Sequence, residues 1–370
     1  MARFKMLAVR RIRLTGQHAR SSLGFLCTAT GVDVQSISNV PLGSELSLQF
    51  DDSPVDVRVV NGSEEGLWIE AAGGSVALRK ESIDAPSMDR MRYVVTLDMK
   101  SDGSRTRVRA GIPPRYFGLG VETGGDVELL GSIKEARNVS IRSHGGRIVS
   151  KSGLSAETVT LLSGGGTIQA AEVTAAEASV DAQCVRSKAT SATDDVPEDR
   201  PRDGSIRIRR VSCLRFDAHG RDVRIESLIS SSAEVCGASI NVENANTLEG
   251  EAVFCLRGDD SLPGSMRLGG VDGTICVDDG GRAAVMEMQL NRNARLVECR
   301  TSADTEVVCY KVPELRIIEG KGDQGGEKMG PQPVCRVTGT TGRDKLTVTN
   351  RSWRASFMKR KIHEAEGSDQ

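Results

Sequence analysis

Short runs of alternating apolar and polar residues recur along the chain, and each run predicts a β-strand with one face turned inward. The clearest runs are VDVRVV (55–60), LWIEAA (67–72), YVVTLDMK (93–100), SIRIRRV (205–211), DVRIESL (222–228), ASINVEN (238–244), SMRLGGV (265–271) and GTICVDD (273–279). No stretch of 18 consecutive apolar residues occurs, so no membrane span is expected. The pattern predicts an all-β protein built from many short strands.

Three segments share a pattern in which a small polar residue and a glycine pair separate two alternating runs: VETGGDVEL (121–129), IRSHGGRIV (141–149) and LLSGGGTIQ (161–169). Gly124, Gly145 and Gly164 therefore follow one another at nearly equal intervals of about 20 residues. A unit of two short strands and two turns cannot bury its inward face alone, so this interval predicts stacked coils with their glycines along one edge. The composition agrees, since 40 glycines accompany only 7 Phe, 3 Tyr and 2 Trp. An antiparallel sandwich of short strands is the alternative.

The predicted fold class is therefore all-β, a single-stranded β-solenoid of stacked coils of about 20 residues, with an N-terminal β-rich segment and a short C-terminal cap. Ile141 and Val159 are predicted to face its core. The alternation leaves open whether residues 31–110 form a separate sandwich or the first coils. The predicted bounds are a presequence at 1–30, the β-rich segment at 31–110, solenoid repeats at 111–318 with a disordered insertion at 188–204, a flexible loop at 319–333, the cap at 334–362 and a disordered tail at 363–370.

The first 30 residues have the composition of a mitochondrial presequence. They carry six cations, several hydroxyl side chains and no acidic residue before Asp33. Arg10, Arg11 and Arg13 interrupt the only candidate for the apolar core of a secretory signal. Loss of the six cations changes the formal charge from −1 to −7, which disfavours nucleic-acid binding. A location in the mitochondrial matrix is expected.

The cysteines do not have the spacing of a disulfide framework or a zinc knuckle. There are nine, an odd number, and no C-x-x-C pair occurs. Five of them follow one another at similar intervals, each of about 20 residues: Cys213, Cys236, Cys255, Cys276 and Cys299. Because this interval matches the repeat, it predicts thiols stacked in the interior, where a free cysteine acts as a small apolar residue. A ladder of metal ligands is the alternative.

The segment GIPPRYFGLGVETGGDVELLG (111–131), with the repeats VSIRSHGGRIV (139–149) and VTLLSGGGTIQ (159–169) after it, resembles the adhesin-type β-solenoid domain of bacteria. VTGTTGRDKLTVTNRSW (337–353) is similar to the C-terminal strand and R-x-S-W-like tail of its eukaryotic branch, the proteins called family with sequence similarity 185 member A. Together these segments extend the resemblance from residue 111 to about residue 355. The resemblance implies a β-solenoid fold, but no reaction and no catalytic residue.

The usual catalytic patterns do not occur. The four histidines, His18, His144, His219 and His363, lie far apart, and their spacing suggests no convergent partners for a zinc site or a triad. The chain contains neither a phosphate-binding loop of the P-loop type nor G-x-S-x-G. Carboxylate pairs occur at turns, where aspartate is favoured by local hydrogen bonding: Asp194–Asp195, Asp259–Asp260 and Asp278–Asp279. We predict no catalytic, cofactor-binding or metal-ligating residue and no cofactor.

These observations favour a non-enzymatic mitochondrial scaffold or binding protein that offers a long regular surface to a protein partner, as an assembly or maintenance factor of a mitochondrial complex. Two alternatives remain open. One is a carbohydrate-active parallel β-helix enzyme, a lyase or hydrolase, which would need charged side chains from three adjacent coils to converge in a concave strip. The other is a surface adhesin-like protein, which would require secretion.

Overall fold

The computed structural model describes residues 24–27, 32–83, 90–99, 106–183, 204–257, 264–280, 284–301, 306–310, 314–319, 334–338, 345–350 and 361–363. Three of the predicted segments lie largely outside these residues. They are the presequence at 1–30, apart from 24–27, the insertion at 188–204, apart from Gly204, and the loop at 319–333, apart from residue 319. The tail at 363–370 is described only at its first residue. The predicted domain bounds stay predictions.

Every regular element in the described part of the chain is a β-strand, and the strands form one 23-stranded sheet, which confirms the predicted all-β class. The strands are β1 (Gly24–Cys27), β2 (Val32–Ser38), β3 (Glu45–Gln49), β4 (Asp56–Asn61), β5 (Gly66–Ala72), β6 (Gly74–Ser82), β7 (Met91–Met99), β8 (Arg107–Ile112), β9 (Gly118–Thr123), β10 (Val127–Leu129), β11 (Ile133–Ser143), β12 (Ile148–Leu162), β13 (Ile168–Asp181), β14 (Ser205–His219), β15 (Asp222–Gly237), β16 (Ser239–Leu256), β17 (Gly264–Asp278), β18 (Ala284–Thr301), β19 (Glu306–Tyr310), β20 (Glu314–Glu319), β21 (Val334–Thr338), β22 (Lys345–Asn350) and β23 (Lys361–His363).

The long strands β11 to β18 stack in sequence order with parallel pairing, as a single-stranded solenoid requires. Each of the strands β12 to β18 runs through a whole coil, whereas β10 and β11 together form one coil. Along β14 the buried residues come in three pairs, Ile206 with Ile208, Val211 with Cys213, and Phe216 with Ala218. Two exposed residues separate successive pairs, so the coil has three sides rather than the two predicted. We call them the first, second and third side, in chain order.

The core is a set of aligned columns of apolar side chains inside the three sides. One column on the third side runs through Ile141, Leu161, Val180, Ala218 and Val235, each 0% exposed. Val159, in the neighbouring inward column, is also fully buried. Since burial of a Val, Ile or Leu side chain contributes about 1.5–3 kcal/mol, each coil is stabilised mainly by the coils on either side of it.

The glycine pairs form the corner that joins the third side of one coil to the first side of the next. Backbone coils approach closely there: a Cβ on Gly146 would lie 2.2 Å from the Gly125 carbonyl oxygen, and one on Gly166 would lie 2.0 Å from that of Gly146. Gly145 and Gly164 have φ of 98° and 58°, a region that favours glycine. The predicted alignment of the repeat glycines along one edge is therefore present.

The hydroxyl that precedes each glycine pair is buried and satisfies a backbone carbonyl of this corner. The Thr123 hydroxyl donates to the Val55 oxygen (2.6 Å), that of Ser143 to the Gly125 oxygen (2.8 Å) and that of Ser163 to the Gly166 oxygen (2.7 Å). A tight turn inside a stack leaves carbonyls without a ladder partner, and an unsatisfied buried carbonyl is costly. This requirement explains why a Ser or Thr accompanies the glycines in the repeat.

At both ends of the sheet the spatial order of the strands departs from the chain order. β3 pairs in parallel with β9 on one edge and with β7 on the other. In the same way, β4 pairs in parallel with β10 on one edge and with β8 on the other. β21 and β22 pair with β18, and β19 and β20 lie beyond them. The chain therefore adds strands outward at each end. Part of the segment at 31–110 continues the solenoid sheet, and β1, β2, β5 and β6 add antiparallel pairings there.

Candidate functional site

A groove of about 590 Å³ lies along the first side of the coils formed by β12 to β16. Its charged lining residues come from four of these coils: Lys151, Arg207, Arg209, Arg224, Glu226 and Glu243. A second recess of about 350 Å³ shares Arg224 and Asn241 with the groove and continues to Arg267. Together they form an open channel of mixed charge with an excess of cations.

Strand register aligns these side chains. Gln169, Arg207, Arg224, Asn241 and Arg267 are partners on successive strands, so they form one outward column. Neighbouring strands lie about 4.8 Å apart, which spaces the guanidinium groups closely along the solenoid axis. The sequence indicates this column only to a reader who knows the local coil length, because Arg207 and Arg224 are one coil length apart in the chain.

The groove cations differ in how far they are already neutralised. A guanidinium nitrogen of Arg224 lies 3.3 Å from a carboxylate oxygen of Asp222. Arg207 and Arg209 are exposed and form no ion pair with another described residue. Their charges therefore remain available to a ligand.

Of the carboxylate pairs singled out in the sequence, the structure describes only Asp278–Asp279, and this pair does not line the groove. Asp279 is fully buried, Asp278 lies on the outer surface of the third side, and both Asp194–Asp195 and Asp259–Asp260 lie outside the described residues. The carboxylates that do reach the groove are Glu226 and Glu243, on consecutive coils. A search for adjacent carboxylates in the sequence misses them. In this fold, residues that share a patch of surface are one coil apart in the chain and are not sequence neighbours.

The described histidines have more partners than their spacing suggested. His144, at the glycine corner, lies 3.2 Å from an Asp52 oxygen through Nδ1 and 3.3 Å from a Glu122 oxygen through Nε2. His219 lies beside Glu234 and Cys236, two partners that the spacing of the histidines did not suggest. The side chains of His18 and His363 lie outside the described residues.

The five evenly spaced cysteines do not form one interior stack. Cys213 and Cys299 face inward on different sides of the coil. The other three, Cys236, Cys255 and Cys276, occupy outward positions on the third side, because the residue before each of them in its strand is the inward one. The cysteine interval differs from the local coil length, so Cys213 is in register with Ser230 rather than with Cys236.

Cys236 and Cys255 are in register on neighbouring coils and influence each other's acidity. The hydrogen bond between their sulfurs, and then burial, raises the pKa of Cys236. The same hydrogen bond, together with Arg257, lowers the pKa of Cys255. By contrast, burial raises the pKa of Cys213 to about 11 and that of Cys276 to about 12, so these two remain neutral thiols.

Comparisons with known proteins give distant structural similarities only. No protein-family model matches the chain, and no curated protein matches it. A "putative adhesin" from Parabacteroides distasonis has 10% identity and a TM-score of 0.29, covering 86% of this chain and 96% of its own. A "putative cell adhesion protein" from Clostridium sporogenes has 7% identity, a TM-score of 0.17 and coverage of 86% and 99%. A "putative adhesin" from Bacteroides fragilis has 12% identity, a TM-score of 0.19 and coverage of 87% and 98%. Similarities with TM-scores this low carry no argument about function.

In the part of the chain that the structure describes, no helix has the length and apolarity needed to cross a lipid bilayer.

Proposed function

We propose that the protein is a non-enzymatic binding protein that holds an extended anionic partner in the groove on its first side. The observation that carries this proposal is that Arg207 and Arg224 lie one coil apart in the outward column, with Arg207 and the nearby Arg209 unpaired among the described residues. An open groove across several coils suits a long partner, as concave repeat surfaces generally do. The partner that fits best is an acidic protein segment.

Charge governs this recognition, because the groove offers few large apolar side chains. Lys151 and Arg224 are paired with Glu128 and Asp222, so the attraction comes mainly from Arg207 and Arg209. Exposed ion pairs are individually weak, so affinity depends on several contacts along the groove and falls as salt is added. Electrostatic attraction of this kind mainly accelerates association and orients the partner.

We expect Arg207→Glu to weaken binding of a fluorescein-labelled oligoglutamate peptide about fivefold at low salt, because the substitution replaces an attractive contact by a repulsive one. Fluorescence anisotropy measures the affinity. Arg137→Glu makes the same charge change at an exposed position of β11, outside the groove, and should bind as the unmodified protein does. Equal affinities for the two variants would contradict the role of the groove.

A carbohydrate-active enzyme is the second candidate, since acidic and basic side chains from adjacent coils converge in one concave strip here. Glu226 and Glu243 lie on consecutive coils beside Arg209, an arrangement that also suits an acidic sugar polymer. The same binding experiment with polygalacturonate separates the two candidates. Polymer that is bound but keeps its length supports a binding protein, whereas shortened chains support the enzyme.

The cellular setting forms a separate part of the proposal. The basic, acid-poor composition of residues 1–30 favours the mitochondrial matrix, and a scaffold for a mitochondrial complex would act there. The alternative is a surface adhesin-like protein, which would require secretion. We expect a C-terminally tagged protein to resist added protease in intact mitochondria and to become sensitive when the inner membrane is opened. Recovery of the tag at the cell surface would favour the adhesin-like role.

A further inference from the structure

We propose that His219, Glu234 and Cys236 form a binding site for a divalent metal ion of the zinc class on the outer surface of the third side. The site lies on a different side of the coil from the arginine groove. It is therefore independent of the proposed binding function, and each can fail without the other.

The potential ligand atoms already converge. A ring nitrogen of His219, a carboxylate oxygen of Glu234 and the Cys236 sulfur all lie within 4.8 Å of one another, and the sulfur lies 3.4 Å from Oε1 of Glu234. A tetrahedral zinc ion with bonds of about 2.0–2.3 Å holds its ligand atoms about 3.5 Å apart. Small side-chain rotations are enough to bring the three ligand atoms from separations of up to 4.8 Å to this distance.

The backbone fixes the positions of all three residues. His219 ends β14 and is in register with Cys236 on β15, so their side chains leave neighbouring strands in the same direction. Glu234 precedes Cys236 by two residues and therefore points to the same face of the sheet. The three positions are set by parallel pairing along the whole of both strands, which gives a more rigid frame than a loop does.

The donor set selects the class of ion. Imidazole nitrogen, carboxylate oxygen and thiolate sulfur together suit Zn²⁺ and related transition metals, while Ca²⁺ and Mg²⁺ prefer oxygen ligands alone. Cys236 is 0% exposed, and His219 and Glu234 are partly exposed, so an ion can approach from the solvent side and be held against a shielded thiolate. Water would complete the coordination.

Two neighbours affect the site without being proposed as ligands. Cys255 lies in register with Cys236 on the next coil. A guanidinium nitrogen of Arg257 lies 3.5 Å from Oε1 of Glu234, and this ion pair must open when a cation binds. The side chains of Arg257 and Glu234 are both about half exposed, so water can solvate them when the ion pair opens.

A second cluster on the same side offers a matched control. The ligand atoms of Glu251, Cys276 and Glu298 also lie within 4.8 Å of one another. This cluster has no imidazole, and its buried thiol is flanked by carboxylates rather than placed beside a histidine. Cys276→Ser therefore removes one outward thiol of the third side and leaves the proposed site intact.

The test uses the full chain, freed of metal with a chelator, kept reduced with a phosphine and titrated with Co²⁺, a spectroscopic substitute for Zn²⁺. We expect a thiolate-to-cobalt charge-transfer band that saturates at one ion per chain and disappears on addition of Zn²⁺. Cys236→Ser should abolish the band. His219→Ala should weaken Co²⁺ binding by more than about tenfold, because loss of a residue that merely hydrogen-bonds to a metal ligand already lowers metal affinity by that factor. Cys276→Ser and Cys255→Ser should retain the band.

A band that persists in Cys236→Ser would overturn the proposal, as would Co²⁺ affinity that is unchanged in His219→Ala. If Cys255→Ser loses the band while His219→Ala keeps it, the ion is held by the two thiols and the proposed ligand set is wrong. Failure to bind Co²⁺ and Zn²⁺ at all also refutes the site. Circular dichroism and thermal unfolding of each variant show whether any loss comes from misfolding.

Discussion

Gly166→Ala will destabilise the protein by more than about 4 kcal/mol, and little of the variant will be soluble. The added Cβ would lie 2.0 Å from the Gly146 carbonyl oxygen and 3.1 Å from that of Gly145. The coil cannot move away, because Gly204 packs against the other side of this corner and a Cβ there would lie only 1.6 Å from the Gly166 oxygen. Soluble yield and the midpoint of urea unfolding measure the effect.

Gly153→Ala is the matched control, since the same methyl group is added at a position of β12 away from the corner. Its Cβ would come no closer than 3.6 Å to the Glu172 side chain, an ordinary contact. We expect a change in unfolding free energy within about 1 kcal/mol, with a stabilising contribution from the reduced entropy of the unfolded chain. If both variants unfold at the same urea concentration, close approach at the glycine corner is not what holds the coils in place.

The glycine corner was predictable from the sequence because it has a fixed chemistry. A turn between stacked coils needs a residue without a Cβ and a donor for a buried carbonyl, and the pattern of Ser or Thr with two glycines meets both needs. The inward positions of Ile141 and Val159 follow from simple alternation for the same reason. These features depend only on residues that are close together in the chain.

The number of sides per coil was harder to predict. The three inward pairs of β14 are separated by an exposed pair of residues at each corner, and only the burial along the whole strand makes this plain. The predicted interval came from the first glycine coils, whereas β14, β15 and β16 begin at Ser205, Asp222 and Ser239, so the coils there are shorter. When an interval of about 20 residues is applied to these shorter coils, the five cysteines appear to be stacked on one another. Residues that are in register on neighbouring coils, such as His219 and Cys236, are then missed.

The cluster around Cys236 illustrates that difficulty. His219, Cys236 and Cys255 follow one another at steps of one coil each in this part of the chain. No short motif joins them, so only the local coil length reveals their proximity. The order of strands at the two ends of the sheet was equally inaccessible, because pairings such as Glu45 with Gly118 connect segments that no local pattern relates.

Ile141→Asp will prevent the protein from folding at neutral pH. Ile141 is fully buried in register with Val121 and Leu161, so an aspartate there would have apolar side chains above and below it. An unpaired charge in such a site costs several kcal/mol, comparable with the whole stability of a typical domain. Circular dichroism and size-exclusion chromatography of the refolded protein measure the outcome.

Two further variants separate charge burial from other effects of substitution. Ser140→Asp places the same carboxylate on the adjacent outward position of β11 and should leave the fold intact. Ile141→Val removes one buried methylene and should cost about 0.5–1.5 kcal/mol. Because burial raises the pKa of a carboxyl group, the defect in Ile141→Asp is largest above that raised pKa and should diminish as the pH falls through it. A soluble Ile141→Asp protein with an unchanged melting temperature at neutral pH would mean that this side of the coil faces solvent.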